Sequence, residues 1–310
     1  MTAAALTPRR RVALMINPAA GRHDPAMLDR LAGALVGRGL ETEVVVSRSP
    51  GDLAHRLAEV EADVVAVSGG DGTINEVVGA LVGRSGRVPL LAVVPNGTAN
   101  VLAHEYRLPR RIEAIAEAIR RGRTRPLHLG TARLDGEDPR PFFLMTSIGF
   151  DAEVVRAVED RSPRRFKKLV FGLEAVRRGF GRRSRLGVVA VTTSGEQLAF
   201  DCALAVVTKA RHYGGPFVLV DGVAMDRPGL KLVALADDRP AALMRAAWGV
   251  ATRRLERMAG VTIVDVVSAA VTTADGGTVP VQIDGEPHGA TPVAVTVSPH
   301  ALELIVAEDG

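Results

Sequence analysis

Residues 64–76 read VVAVSGGDGTINE, and the fold turns on that junction. An apolar run, DVVAVS, enters Gly69, Gly70, Asp71, Gly72 and Thr73, and helical spacing follows from about Ile74. Glycines between a strand and a helix let the backbone approach a ligand and expose amide N–H groups. The helix N-terminus adds partial positive charge, so the turn suits a phosphate. An aspartate inside such a loop makes sense beside a polyphosphate when it holds Mg²⁺, directly or through water. A plain tight turn capped by Asp71 or Thr73 is the competing reading. Spacing excludes two others. The dinucleotide fingerprint needs a third glycine where Asn75 stands, and the Walker pattern needs a lysine that the first 127 residues lack.

Working outward, the same grammar repeats on both sides of the junction. RVALMIN (11–17), TEVVVS, DVVAVS and PLLAVV are short apolar runs, each followed by a stretch of helical spacing, the last reaching Ile119. Strands alternating with helices of this length build βαβ units and a parallel sheet covered on both faces. One strand after the first glycine loop, PLLAVVPNGTAN places Pro95, Asn96, Gly97, Thr98 and Asn100 before helical VLAHEY. Parallel strands bring such loops together at the carboxyl edge of the sheet, where open α/β proteins bind ligands. The two loops can therefore line one nucleotide cleft.

Beyond about residue 127 the pattern changes to strand-like runs: PFFLMTSIG, LGVVAVTTS, QLAFDCALAVV, LKLVALA, VTIVDVVSAAVTT, VPVQIDG, VAVTVS and ALELIVA. Helical stretches near 164–180 and 239–257 interrupt them. Runs of strands after a βα half predict a second, mostly antiparallel domain, a β-sandwich.

Composition narrows the class. At 310 residues with 47% apolar content the chain can bury two ordinary cores, and no apolar run approaches the ~18–20 residues of a membrane span. The start, MTAAALTPRRR, is too short and in the wrong order for a secretory signal, so a soluble cytoplasmic protein is expected. The single cysteine, Cys202, excludes an internal disulfide and a thiolate zinc cluster. Aromatic content of 4% argues against nucleic-acid stacking platforms. Net charge is only +4, yet ten basic residues against Glu174 alone fall between Arg161 and Arg185, a local site for an anionic partner. Phe166, Leu169, Val170, Leu173, Val176 and Phe180 form an apolar stripe there, flanked by arginines and lysines. That pattern is either a packed helix with a solvated rim or a helix docking on an anionic membrane surface.

The combination of SGGDGTINEV, PNGTANVLA, SIGFDAEVV and QIDGEP, with the opening INPAAG, resembles the diacylglycerol kinase catalytic-domain family, in particular the bacterial YegS-like lipid kinases. The resemblance implies an NAD-kinase-like nucleotide domain over 1–127, completed by a C-terminal strand at about 299–310, and a β-sandwich lipid-substrate domain over 128–298. It implies ATP and Mg²⁺ as cofactors and a lipid substrate, reached by peripheral membrane contact. An oligomer is compatible with it. Gly69, Gly70, Asp71, Gly72, Thr73, Asn75, Glu76, Gly97 and Thr98 would contact ATP, with Asp71 on the metal. Ser47 matches a family threonine at the nucleotide, and Asn17 would line the same cleft. Asp284-Gly285-Glu286 would supply acid/base chemistry, with Glu286 as general base and Asp284 as its alternate or as a holder of metal-bound water. Asp-Gly is also a common hairpin turn, which is the competing reading of that stretch. The chain departs from many bacterial members at Val101 and at His128, where those carry aspartates of a water-bridged Mg²⁺ network. Its AMDRPGLKL only partly matches a metal-binding turn of the family. The rival functions are a non-catalytic lipid- or nucleotide-binding protein and an NAD kinase.

Overall fold

The computed structural model describes residues 10–19, 24–149, 152, 185–274 and 276–307. The stretch 164–180, read above as a basic amphipathic helix, lies outside them. The chain divides into two compact units, Met1–Leu127 with Leu302–Gly310, and His128–Ala301.

Unit one contains β1 (Arg11–Ile16), α1 (Pro25–Val36), β2 (Glu41–Val46), α2 (Asp52–Glu59), β3 (Val64–Gly69), α3 (Asp71–Val82), β4 (Leu90–Pro95), α4 (Val101–Glu105) and α5 (Ile112–Arg121). The strands pair in parallel in the order β4-β3-β1-β2. β3 is buried at every position, as a strand covered on both faces must be. β2, at the edge, keeps Glu41 exposed and Glu43 largely so, which blunts that edge against further pairing. Pro25 opens α1 at a position where its missing N–H costs nothing. Leu28, Leu31 and Leu35 pack with Ile115 and Ile119 of α5 against Val12, Leu14, Val64 and Ala66. The path runs from β1 to β2 on one side, then back across β1 to β3. This reversal puts α1 and α5 on one face and α2 and α3 on the other, as right-handed crossovers require.

Unit two is antiparallel. It comprises most of β5 (Thr124–Leu134), then β6 (Arg140–Phe142), β7 (Met145–Gly149), β8 (Leu186–Thr192), β9 (Gln197–Cys202), β10 (Leu204–Thr208), β11 (His212–Tyr213), β12 (Phe217–Val218) and β13 (Leu230–Leu235). After α6 (Pro240–Ala251) come β14 (Val261–Thr273), β15 (Pro280–Ile283), β16 (Glu286–Ala290) and the first part of β17 (Val293–Ile305). One run of pairing is β16-β15-β7-β10-β13-β14, and β8 and β9 extend from β14. β14 carries a register shift between Val266 and Ser268, where its pairing passes from β13 to β17. Ile148, Val207, Leu232, Val188, Val271, Val281 and Val295 form the sandwich core. The end of β17 returns to unit one, where Leu304 pairs in parallel with Leu91 of β4.

Candidate functional site

The order β2-β1-β3-β4 places a topological switch point between β1 and β3, the position at which open α/β sheets leave a crevice beyond their carboxyl ends. Asn17 follows β1 and Gly69-Gly70 closes β3, so both stand at that crevice. Asn17 Nδ2 donates to Thr73 Oγ1 at 3.2 Å, and Asn17 Oδ1 accepts from Ala19 N at 3.0 Å. The hydrogen bond to Thr73 ties the first strand's exit to the first turn of α3. Ser47 follows β2, buried, its hydroxyl donating to Ser49 O at 2.8 Å.

The helix begins at Asp71, not near Ile74 as the sequence suggested. Gly70 is its extended N-cap, and Ile74 N already donates to Gly70 O at 3.1 Å. Asp71, Gly72 and Thr73 therefore form the first helical turn, whose amides have no acceptor within the helix. The carboxylate of Asp71 complements the positive end of α3 and reaches across to the second loop. Its oxygens accept from Val101 N at 3.1 Å and Leu102 N at 3.3 Å, which caps α4. Burial raises the Asp71 pKa, opposed by these two amides and by His104. Val101 thus contributes its backbone amide.

The two glycine loops touch. A Cβ built on Gly97 would lie 2.3 Å from Gly70 Cα, so only glycine permits this approach. Asn96 N donates to Gly69 O at 3.1 Å. Asn100, at a φ of 48° that asparagine tolerates, clamps the second loop: Gly97 N donates to Asn100 Oδ1, and Asn100 Nδ2 donates to Gly97 O, both at 2.8 Å. Asn100 was not among the expected contact residues; its place after Gly-Thr, before a helix, was the available signal. Thr98 is exposed at the loop tip. Asn75 lies two residues past that first turn. Glu76 is turned elsewhere: its Oε1 accepts from Ala54 N at 3.1 Å, capping α2.

In unit two, Asp284 and Gly285 are the two central residues of the β15–β16 hairpin, with φ of 50° and 85° and Ile283 opposite Glu286. Positive φ at both positions is the demand of a type I′ turn, which Asp-Gly meets. The turn does more than reverse the chain. Asp284, buried, accepts from Phe143 N at 3.0 Å on Oδ2, and from Leu144 N at 2.8 Å and Met145 N at 2.9 Å on Oδ1. Glu286 begins β16, exposed. The two carboxylates therefore differ: Asp284 anchors the start of β7, and Glu286 faces outward.

His128 donates its backbone N–H to Met225 O at 2.8 Å, and burial lowers its ring pKa, helped by Lys209 and opposed by Asp226. Lys209 is fully buried. Its Nζ donates to Ala224 O at 2.8 Å, Gly229 O at 3.1 Å and Arg227 O. An ammonium thus gathers the carbonyls of the AMDRPGLKL turn, and burial lowers its pKa to about 8. Sequence reading missed this lysine; its signal was a single charge in the apolar run LAVVTKA. Among the described residues no group of three or more His, Cys, Asp or Glu could hold a metal ion, and no helix is long and apolar enough to cross a membrane.

A parallel α/β unit with paired glycine loops and an antiparallel sandwich together make the NAD-kinase-like architecture. The diacylglycerol kinase catalytic domain matches residues 11–132 and the YegS C-terminal NAD kinase β-sandwich-like domain matches 145–306, so the chain belongs to the diacylglycerol kinase family of lipid kinases, in its YegS-like branch. It is an enzyme that transfers phosphate to an alcohol group. A Xanthomonas axonopodis pv. citri protein named "Probable lipid kinase YegS-like" is 27% identical over 299 residues, covering 89% of this chain and 90% of that one. A Bacillus subtilis diacylglycerol kinase is 35% identical over 130 residues, 39% of this chain and 41% of its own length. In fold, the chain superposes on a diacylglycerol kinase from Bacillus anthracis with a TM-score of 0.70 at 18% identity, covering 96% of this chain and 97% of the other. It superposes on yeast NADH kinase at 0.52 and 12%, covering 97% and 84%.

Proposed function

We propose that this lipid kinase transfers the terminal phosphoryl group of ATP to a hydroxyl of a diacylglycerol-like or sphingoid lipid. The carrying observation is the contact of the Gly70 and Gly97 loops at the carboxyl ends of β3 and β4, beside the switch point, with Asp71 bridging them. The amides of the first turn of α3 would take the phosphates, and Asn17, Ser47, Thr73 and Thr98 would line the nucleotide. The donor set fits Mg²⁺, which needs only one or two carboxylates when phosphates and water complete its shell. Asp71 would hold it, through carboxylate lone pairs that its backbone amide partners leave unused. Bound there, the ion would neutralise charge on the transferring phosphoryl group. Glu286 takes the proton from the lipid hydroxyl as its oxygen bonds to phosphorus and the bond to ADP breaks. Asp284 supports it by fixing the hairpin on which Glu286 stands.

The test is transfer of radiolabel from ATP to diacylglycerol, monoacylglycerol, phosphatidylglycerol, sphingosine and NAD in parallel. Label on a lipid, lowered ~10²- to 10⁴-fold in Glu286→Gln while ATP still binds, is the expected result. Label on NAD alone identifies an NAD kinase. ATP binding without transfer to any acceptor identifies a non-catalytic binding protein.

A further inference from the structure

α6 is an unusual surface helix. Its sequence, PAALMRAAWGVA, holds one charged residue, Arg245. The inward side is already packed: Ala242 and Gly249 are buried, and Gly249 lies against Leu255 and Met258. A helix covered on one side and wet on the other normally shows a polar outer face. Here the outer face carries Met244, 69% exposed, and Trp248, 67% exposed, one helical turn apart. Exposed Ala241, Ala247 and Ala251 surround them. Phe217, 55% exposed, stands on β12, which packs beside α6.

Charge frames this apolar face. Residues 237–257 contain five arginines (239, 245, 253, 254 and 257) against Asp237, Asp238 and Glu256, a balance of +2. Arg239 and Asp237 pair with each other at 3.2 Å, which leaves four arginines against Asp238 and Glu256. An apolar centre with a tryptophan and a basic rim matches the layering of a bilayer surface, where indole sits at the hydrocarbon boundary and arginines reach anionic headgroups. A second copy fits worse, because a two-fold self-contact would set the same positive rim against itself.

We propose that the outer face of α6, together with Phe217, is the surface through which the protein docks on an anionic lipid bilayer. The proposal rests on the lipid-kinase reading and deepens it, since it says which side of unit two meets the membrane holding the acceptor.

Trp248 is the chain's sole tryptophan, so its emission reports on this surface alone. The full chain is titrated with vesicles of phosphatidylcholine containing phosphatidylglycerol, and with pure phosphatidylcholine. The expected result is a blue shift with the anionic vesicles, quenching by lipids brominated on their acyl chains, and a weaker response to the neutral ones. Phe217→Ser with Met244→Ser keeps the fluorophore and removes two exposed apolar groups, so circular dichroism should match wild type. Partitioning should weaken at least about tenfold. Activity on lipid in vesicles should fall with it, and activity on a short-chain, water-soluble diacylglycerol should not. Solvent-like emission at saturating vesicle, or equal partitioning by the variant, overturns the proposal. So does a blue shift that appears with protein concentration in the absence of lipid, which would assign the face to a second copy. If wild type fails to phosphorylate the soluble analogue, the kinase reading fails instead, and the Trp248 measurement is judged on its own.

Discussion

Gly97→Ala is the most direct probe of the crevice in unit one. The added methyl group would lie 2.3 Å from Gly70 Cα, 2.8 Å from Asn100 Oδ1 and 3.2 Å from Gly70 N. Non-bonded carbons settle at about 3.5–4.0 Å, so the loops must part by roughly 1.5 Å. The nearest obstacle is backbone and cannot swing away. Overpacking of this kind costs about 1–3 kcal/mol. Disturbing the Asn100 clamp adds about 1 kcal/mol for each hydrogen bond lost. Displacement of about 1 Å at a phosphoryl-transfer site is worth roughly 10²-fold in rate. The variant should therefore unfold at lower urea, bind ATP more weakly in calorimetry and turn over at least about 100-fold more slowly. Hydrogen exchange should localise the loss to the ends of β3 and β4. Gly79→Ala is the control: it lies within α3 with nothing inside 4 Å of its added carbon. It should stabilise the helix by up to about 1 kcal/mol and leave ATP affinity alone. If Gly97→Ala keeps wild-type stability and ATP affinity, the loops do not meet and the nucleotide is held elsewhere.

Asp284→Asn should destabilise the protein by about 1–3 kcal/mol, because one carbonyl oxygen cannot serve the amides of Phe143, Leu144 and Met145 together. Glu286→Gln should leave the melting temperature unchanged, and equal melting of the two variants would contradict their separate roles. The thiol of Cys202 is buried, and burial pushes its pKa up to about 12. Ellman's reagent at pH 8 should leave it unmodified until denaturant is added, whereas rapid labelling of the native protein would show that β9 opens readily.

The periodic parts of the fold were legible in the sequence because they rest on neighbours. Apolar runs broken by helical spacing identified the parallel unit, and short runs between turn residues identified the antiparallel one. The limits have physical causes. Helix α3 starts earlier than its composition suggests because an extended Gly70 with Asp71 and Thr73 in the first turn outweighs the poor propensity of Gly72. Glu76 falls within a glycine-loop motif, yet its side chain caps α2, 22 residues away in sequence. Asp284 meets its amide partners across some 140 residues, a distance over which no local pattern carries information. Lys209 stands in an apolar run with no acidic partner nearby in sequence, and only the fold brings three carbonyls to its ammonium.

The return of β17 to unit one has a consequence for biosynthesis. The ribosome delivers β1 to β4 within the first hundred residues, yet Leu304, their partner beyond β4, emerges some two hundred residues later. Throughout that interval the nascent first unit carries β4 as an unpaired edge, open to pairing with other chains. Release before residue 302 would leave the edge uncovered for good. A chain prematurely terminated within the sandwich is therefore handicapped in both halves, and its open edge distinguishes it from a finished molecule to the cell's chaperones and proteases.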